Sequence, residues 1–149
     1  MPMWKLKTFE ELDVHVLYKL LQVRSEVFVV EQTCVYQDID GFDTKAIHFY
    51  FEGNGVIKAY ARLFKPNDYY TNFTSIGRVL VAKSFRKQGL AHQLIKKAIT
   101  YLQKNHPDFP IKIGAQLYLK KFYESHGFVQ VGNSYIEDGI PHIYMILEF

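Results

Sequence analysis

The sequence predicts an α/β (α+β) fold, a mixed sheet carrying helices on both faces, and three observations lead there. Strand-like and helical patterns alternate through the middle of the chain. Strand-like runs stand next to one another near both ends. Two longer segments repeat apolar residues at helical rather than strand spacing. With 149 residues the chain is expected to form one domain spanning 1–149, large enough to bury a core without disulfides or a structural metal.

A short strand is predicted over Met3 to Lys7. Thr8 and Glu11 then make a T-x-x-E capping box, which satisfies orphan amides at a helix start, so a helix is expected from about Phe9 to Val30, ending near Glu31. Within it Leu12, Val16, Leu20, Val23 and Val27 recur every third or fourth residue and define an inward face. The stretch from Gln37 to Asp43 is rich in Asp and Gly and reads as an irregular loop. In AIHFYFEGNGVIKAYARLF, two strands are joined at Gly53-Asn54-Gly55, residues that accept positive φ at little cost, which predicts a hairpin. A polar segment, Lys65 to Asn72, leads to a third run over Thr74 to Val81.

A second helix follows the loop SFRKQG. Its face is Leu90, Leu94, Ile95, Ala98, Tyr101 and Leu102, and Pro107 with Pro110 end it near Asn105. A strand from Ile111 to Ala115, a short helix from about Leu119 to His126 with Gly127 as its left-handed cap, and strands over Phe128 to Tyr135 and Pro141 to Phe149 complete the chain.

Composition narrows the function. Hydrophobic residues at 48% and aromatics at 16% suit a folded domain. A net charge of +3, with 15 acids scattered among the bases, leaves no basic stripe for nucleic acid or an anionic membrane. The single cysteine, Cys34, excludes an internal disulfide and is expected to be a buried thiol. No apolar run approaches the ~20 residues that span a bilayer, and no leader-like segment opens the chain, so a soluble cytoplasmic protein is expected. Asp38, Asp40 and Asp43 invite a calcium reading, but the spacing would put the bidentate Glu at Phe49. The histidines are scattered, and no metal site is expected.

The stretch Ser84-Phe85-Arg86-Lys87-Gln88-Gly89-Leu90-Ala91-His92 carries the chemistry. It joins a strand to a helix start, where exposed amides suit an anion. Arg86 and Lys87 add charge there, and Gly89 removes a Cβ that would hold a ligand off the backbone. It has neither the spacing of a Walker loop nor the glycines of a dinucleotide fingerprint, so ATP and NAD are set aside. Arg86, Gly89 and Ala91 match [RQ]-x-x-G-x-[GA], and the loop resembles the acyl-CoA pyrophosphate motif of the GNAT superfamily of N-acetyltransferases. Further on, Phe122-Tyr123-Glu124-Ser125-His126-Gly127-Phe128 resembles that superfamily's F-Y-x-x-x-G-F segment. The stretches RSEVFVVEQ, YQDIDGFD, IGRVLV, GAQLYLKKFYESHGF and EDGIPHIYM are similar to the ElaA-like group within it.

That resemblance implies a GNAT fold in which the strands Thr74 to Val81 and Ile111 to Ala115 start parallel and splay apart within a mixed, mostly antiparallel sheet. It implies acetyl-CoA as cofactor: the pantetheine arm lies along Val79, Leu80 and Val81, and the pyrophosphate sits on amides from Lys87, Gln88, Gly89, Leu90 and Ala91 to His92. The implied reaction is acetyl transfer to a primary amine of a small molecule or peptide by direct attack in a ternary complex. A lysine-like amine with a pKa near ~10.4 must first lose a proton. The departing thiolate must gain one, and by resemblance Tyr123 is its acid, with amides near Leu80 and Val81 for the oxyanion.

Glu31, His48 and His142 are the candidate bases, with a water chain as the alternative to all three. For His48 the competing reading is a hydrogen-bonded core histidine. Asp38, Asp40 and Asp43 suggest an acidic rim for a cationic acceptor, and Arg24 is placed to hold that wall through Asp38 or Asp40. Arg24, Phe28, Asp40 and Asp43 also resemble the amino-terminal pattern of acyl-homoserine-lactone synthases, which stands as an alternative. A non-catalytic CoA-binding module is another. Edge strands and abundant rings leave a homodimer open.

Overall fold

Seven strands and three α-helices follow one another in the computed structural model, which describes residues 2–149. β1 (Met3–Thr8), β2 (Ile47–Gly53), β3 (Val56–Phe64) and β4 (Ser75–Val81) form a four-stranded antiparallel sheet in sequence order. β5 (Ile111–Gln116), β6 (Val129–Glu137) and β7 (Ile140–Leu147) form a second antiparallel sheet in the order β5, β7, β6. The two sheets meet at one parallel bridge, Thr74 to Ile111, where the Thr74 amide donates to Pro110 O (3.1 Å) and the Lys112 amide donates to Thr74 O (2.9 Å). Beyond it β4 and β5 share no ladder, so the expected splay is present.

The turns follow their residues. The β2–β3 hairpin closes on Asn54 (φ 53°) and Gly55 (φ 72°), both left-handed, as a two-residue turn between twisted strands requires. In β4 the ladder shifts so that Arg78 and Val79 together oppose Ala61, and Arg78 takes a φ of 49°. That bulge bends β4 where the second sheet departs.

The first helix starts later than its sequence suggests. The capping box forms: the Thr8 amide donates to Glu11 Oε1 (2.9 Å) and the Glu11 amide to Thr8 Oγ1 (3.3 Å). It closes only one turn. Asp13 is extended, and its side chain accepts from the His15 amide (2.8 Å), so α1 runs over Val14–Ser25. A π-helical stretch, Glu26–Glu31, continues it to the expected end. Leu20, Val23 and Val27 bury against Tyr50, Tyr60 and Leu80, with Leu12 and Val16 at the margin.

α2 (Leu90–Asn105) covers the other face: Leu90, Leu94, Ile95, Ala98 and Leu102 pack with Phe49, Ala61, Leu63 and Ile76. α3 (Lys120–Glu124) is short, and Gly127 (φ 96°) closes its C-terminus by donating to Glu124 O (3.0 Å). Among the described residues no helix is long and apolar enough to cross a membrane.

Candidate functional site

The splay opens a cleft of about 570 Å³ between β4 and β5. One margin is the start of α2. The first bond within this helix runs from the Gln93 amide to Gly89 O (3.2 Å), and the cap residue Gly89 offers no side chain, so the amides of Leu90, Ala91 and His92 have no helical partner. Gly89 sits at φ 77°, and a Cβ built there would meet no atom within 4 Å. Unpaired amides, a positive helix end and open space before them suit a diphosphate. Lys87, Gly89, Leu90, Ala91 and His92 all line the cleft, whereas Gln88 is exposed and outside its wall.

Arg86 departs from expectation. Its guanidinium forms a fork with Glu31 (2.7 and 3.1 Å), and its Nε donates to Val81 O (2.9 Å). It braces the loop between β4 and the π-helical stretch rather than presenting free charge to a ligand. Glu31, a candidate base, lines the cleft but is committed to this bridge. The Ala82 amide donates to Lys58 O on β3 (2.9 Å). Strand alternation therefore turns Leu80's backbone to β3, and the backbone groups of Val79 and Val81 face the open side. Of the three residues assigned to the pantetheine arm, Val79 and Val81 alone have that aspect.

The second margin is the β6–β7 hairpin. His142 is 8% exposed, lines the cleft and stands opposite Tyr135 in the ladder. Its Nδ1 is 2.7 Å from Ile140 O. A carbonyl only accepts, so Nδ1 carries the proton, and the neutral ring keeps its lone pair on Nε2. Nε2 lies 3.6 Å from Glu137 Oε2, outside hydrogen-bond range. Tyr135 stacks between His142 (5.8 Å) and Tyr144 (4.6 Å) and fixes the imidazole plane. A Cβ on Gly114, in β5 on the far side of β7, would come within 2.9 Å of Tyr135 Oη. Gly114→Ala is therefore expected to displace Tyr135 and disorder the His142 ring, measurable as broadening of its Cε1–H resonance.

Tyr123, on α3, is 6% exposed and lines the same cleft. Phe122 (5.1 Å) and Phe128 (5.9 Å) hold its ring edge-on. Burial first, and then Tyr118, push its phenol pKa well above the usual value, so it stays a neutral O–H donor. Cys34 is buried as expected and also lines the cleft, its Sγ donating to Asp138 O (3.4 Å).

The remaining predicted residues lie elsewhere. His48 is fully buried, with Nδ1 on Tyr60 Oη (2.6 Å) and Nε2 on Asp43 O (2.9 Å). Both nitrogens are engaged and the ring does not reach the cleft, so the core-histidine reading replaces that of a base. Burial lowers its pKa and holds it neutral.

The acidic rim is also corrected. Arg24 meets Asp38 (3.0 Å) and Asp43 (2.7 Å), not Asp40. Arg62 meets Asp40 (2.6 Å) and Asp43 (3.0 Å), and Arg78 meets Asp38 (2.8 Å) and Asp40 (3.4 Å). Three guanidinium groups neutralise three carboxylates, and Arg24, Asp38 and Asp40 are outside the cleft wall. Arg78 and Tyr36, which donates to Asp38 (3.0 Å), are the members that do line it. Pairs 14 to 40 residues apart leave no local signal.

Comparison with known proteins fits this geometry. The model of the acetyltransferase (GNAT) domain matches residues 8–149. Protein ElaA of Escherichia coli is 44% identical over 147 residues, covering 97% of this chain and 95% of that protein. The crystal structure of E. coli ElaA superposes with a TM-score of 0.92 at 43% identity, covering 99% of this chain and 100% of the other. An acyl-CoA N-acyltransferase from Pseudomonas aeruginosa does so with a TM-score of 0.93 at 40% identity, covering 99% of each chain. A CoA-dependent acyl-homoserine lactone synthase shares 15% identity at a TM-score of 0.77, over 98% of this chain and 82% of that one, a likeness of fold alone. With identity above two fifths along nearly its whole length to ElaA and the domain model spanning all but its first seven residues, the chain belongs to the GNAT acetyltransferase family, in its ElaA-like group.

Proposed function

We propose that the protein transfers an acetyl group from acetyl-CoA to a primary amine by direct attack within a ternary complex. The supporting observation is one cleft that joins the unpaired amides of α2 to two protonatable side chains of opposite role, Tyr123 and His142. The thioester, when bound, supplies an activated acyl carbon and a sulfur leaving group.

The chain's own residues do the rest. Amides at the start of α2 hold the diphosphate. The outward backbone of Val79 and the N–H of Val81, whose carbonyl already accepts from Arg86, pair with the amide arm as an added strand would. His142 Nε2 accepts the proton of the incoming ammonium, which frees the nitrogen lone pair. The freed nitrogen forms a bond to the acyl carbon, and Tyr123 Oη donates a proton to the sulfur as the carbon–sulfur bond breaks. The second nitrogen proton passes through water to the Tyr123 phenolate, giving an amide, a free thiol and a restored phenol, with one proton left on His142 to return to solvent. The bulged β4 and the Arg86–Glu31 bridge keep these groups on a fixed frame.

The test is release of free thiol from acetyl-CoA in the presence of primary amines. A protein that binds CoA tightly yet releases no thiol with any member of a diamine and peptide panel would instead be a binding module. Gly89→Asp places a carboxylate at the diphosphate subsite, in a backbone conformation that Asp tolerates better than most residues. It is expected to weaken CoA binding about tenfold by calorimetry with the melting temperature preserved. Unchanged affinity in the folded variant would move the diphosphate elsewhere.

A further inference from the structure

Charge around the cleft is balanced almost everywhere. Arg78 is paired with Asp38 and Asp40, and Arg86 with Glu31. The exceptions lie on the two margins: Lys87 beside the α2 amides, and Glu137 with Asp138 on the β6–β7 hairpin. Among the described residues neither hairpin carboxylate has a lysine or arginine partner, and both are exposed. Asp138 is fixed by the turn, with φ 51° ahead of Gly139.

A pair of surface acids alone means little. A second observation gives these direction. His142, more than nine-tenths buried, lines the cleft with Nδ1 held by Ile140 O and no hydrogen bond at Nε2, and the Glu137 carboxylate stands 3.6 Å from that nitrogen. Tyr135, Glu137, Ile140 and His142 occupy one face of the hairpin, with Tyr135 and His142 directly opposed.

We infer that Glu137, supported by Asp138, selects the acceptor: the hairpin margin receives a primary amine whose far end is cationic and disfavours one whose far end is a carboxylate. This rests on the amine-acceptor reading of the cleft and adds its substrate class. An acceptor arrives as an ammonium, and Glu137 attracts it to the nitrogen that takes its proton. A second positive charge on the acceptor is drawn to the same margin, while a terminal carboxylate is repelled there. The cationic preference thus belongs to the β6–β7 hairpin and not to the neutralised loop of Asp38, Asp40 and Asp43.

The probes are cadaverine, n-pentylamine and δ-aminovalerate, five-carbon primary amines ending in a cation, a methyl group and an anion. With acetyl-CoA and the full chain, kcat/KM for cadaverine is expected to exceed that for δ-aminovalerate by about tenfold, with pentylamine between them. Glu137→Gln should bring the ratio near one, and Glu137→Lys should invert it. A binding readout accompanies turnover: cadaverine should shift the His142 Cε1–H resonance of the protein without CoA, and Glu137→Gln should diminish that shift. If all three amines are acylated alike, or if Glu137→Gln leaves the ratio unchanged, the selectivity assignment falls and the transferase reading stands. If no amine of any charge releases thiol, the transferase reading falls and takes the assignment with it.

Discussion

Replacing His142 with glutamine is expected to lower kcat/KM for acetyl transfer by about two to four orders of magnitude, the usual contribution of a positioned general base. Glutamine can hydrogen-bond, but its amide has no basic nitrogen. The loss should appear in turnover, with CoA affinity held within about twofold, because His142 lies on the hairpin margin and the proposed diphosphate subsite is at the start of α2. Tyr123→Phe is the companion measurement. It removes the proton donor at the sulfur while keeping the ring between Phe122 and Phe128, so it too should slow the step without weakening CoA. The same kcat/KM in His142→Gln as in the parent would exclude the imidazole and leave Glu31 or a water chain as the base. Glu31 is the weaker candidate, because accepting a proton would cost it the two-point bridge to Arg86.

What the sequence reveals and what it hides divide along a physical line. α2 was legible because its five buried residues lie on one helical stripe and the opposite side is solvated. The β2–β3 turn was legible because Asn54 and Gly55 are the residue types that accept two left-handed conformations in a row. His48 was ambiguous for a matching reason. β2 is buried on both faces, Ile47 and Phe49 on one and His48 and Tyr50 on the other, so alternation gave no inside or outside. The start of α1 was misplaced because the capping box is satisfied by a single turn, and Asp13 then begins the helix anew. The splay and the unpaired amides at the start of α2 followed from motif resemblance together with backbone physics. Arg86's partner, 55 residues away, followed from neither. It depends on how separate elements dock, and side-chain periodicity carries no record of that; the approach of Glu137 to His142 depends instead on the register of the β6–β7 hairpin.

Asp38→Ala is expected to cost about 3–5 kcal/mol of stability, the range for breaking a buried ion pair from one side. Asp38 accepts from Arg24 Nε (3.0 Å), Arg78 Nε (2.8 Å) and Tyr36 Oη (3.0 Å). Arg24 is fully buried, and without Asp38 it keeps Asp43 but has an uncompensated Nε. Arg78 is the bulge residue of β4, so the same substitution loosens the strand that borders the cleft. Urea denaturation measures the loss, and Asp38→Asn, which retains an acceptor oxygen, should lose less. A cost below about 1 kcal/mol would mean that water replaces the carboxylate without difficulty. Acid should act on the same network. Burial alone would raise Asp40, but Arg62, the Phe42 amide and Arg78 together bring its pKa down to about 2, and Arg24 and Arg62 likewise lower Asp43. Both carboxylates are depressed in the folded state, so their stabilisation is complete above the unfolded value near ~3.9 and disappears as pH falls from there toward about 2. His48 adds loss earlier: it is held neutral when folded, so the unfolded chain binds its proton first as pH drops below ~6.5. Denaturation midpoints should therefore decline in two stages on acidification, and His48→Asn should diminish the upper one, to which His126, lowered by burial and by His92 and Lys96, also contributes.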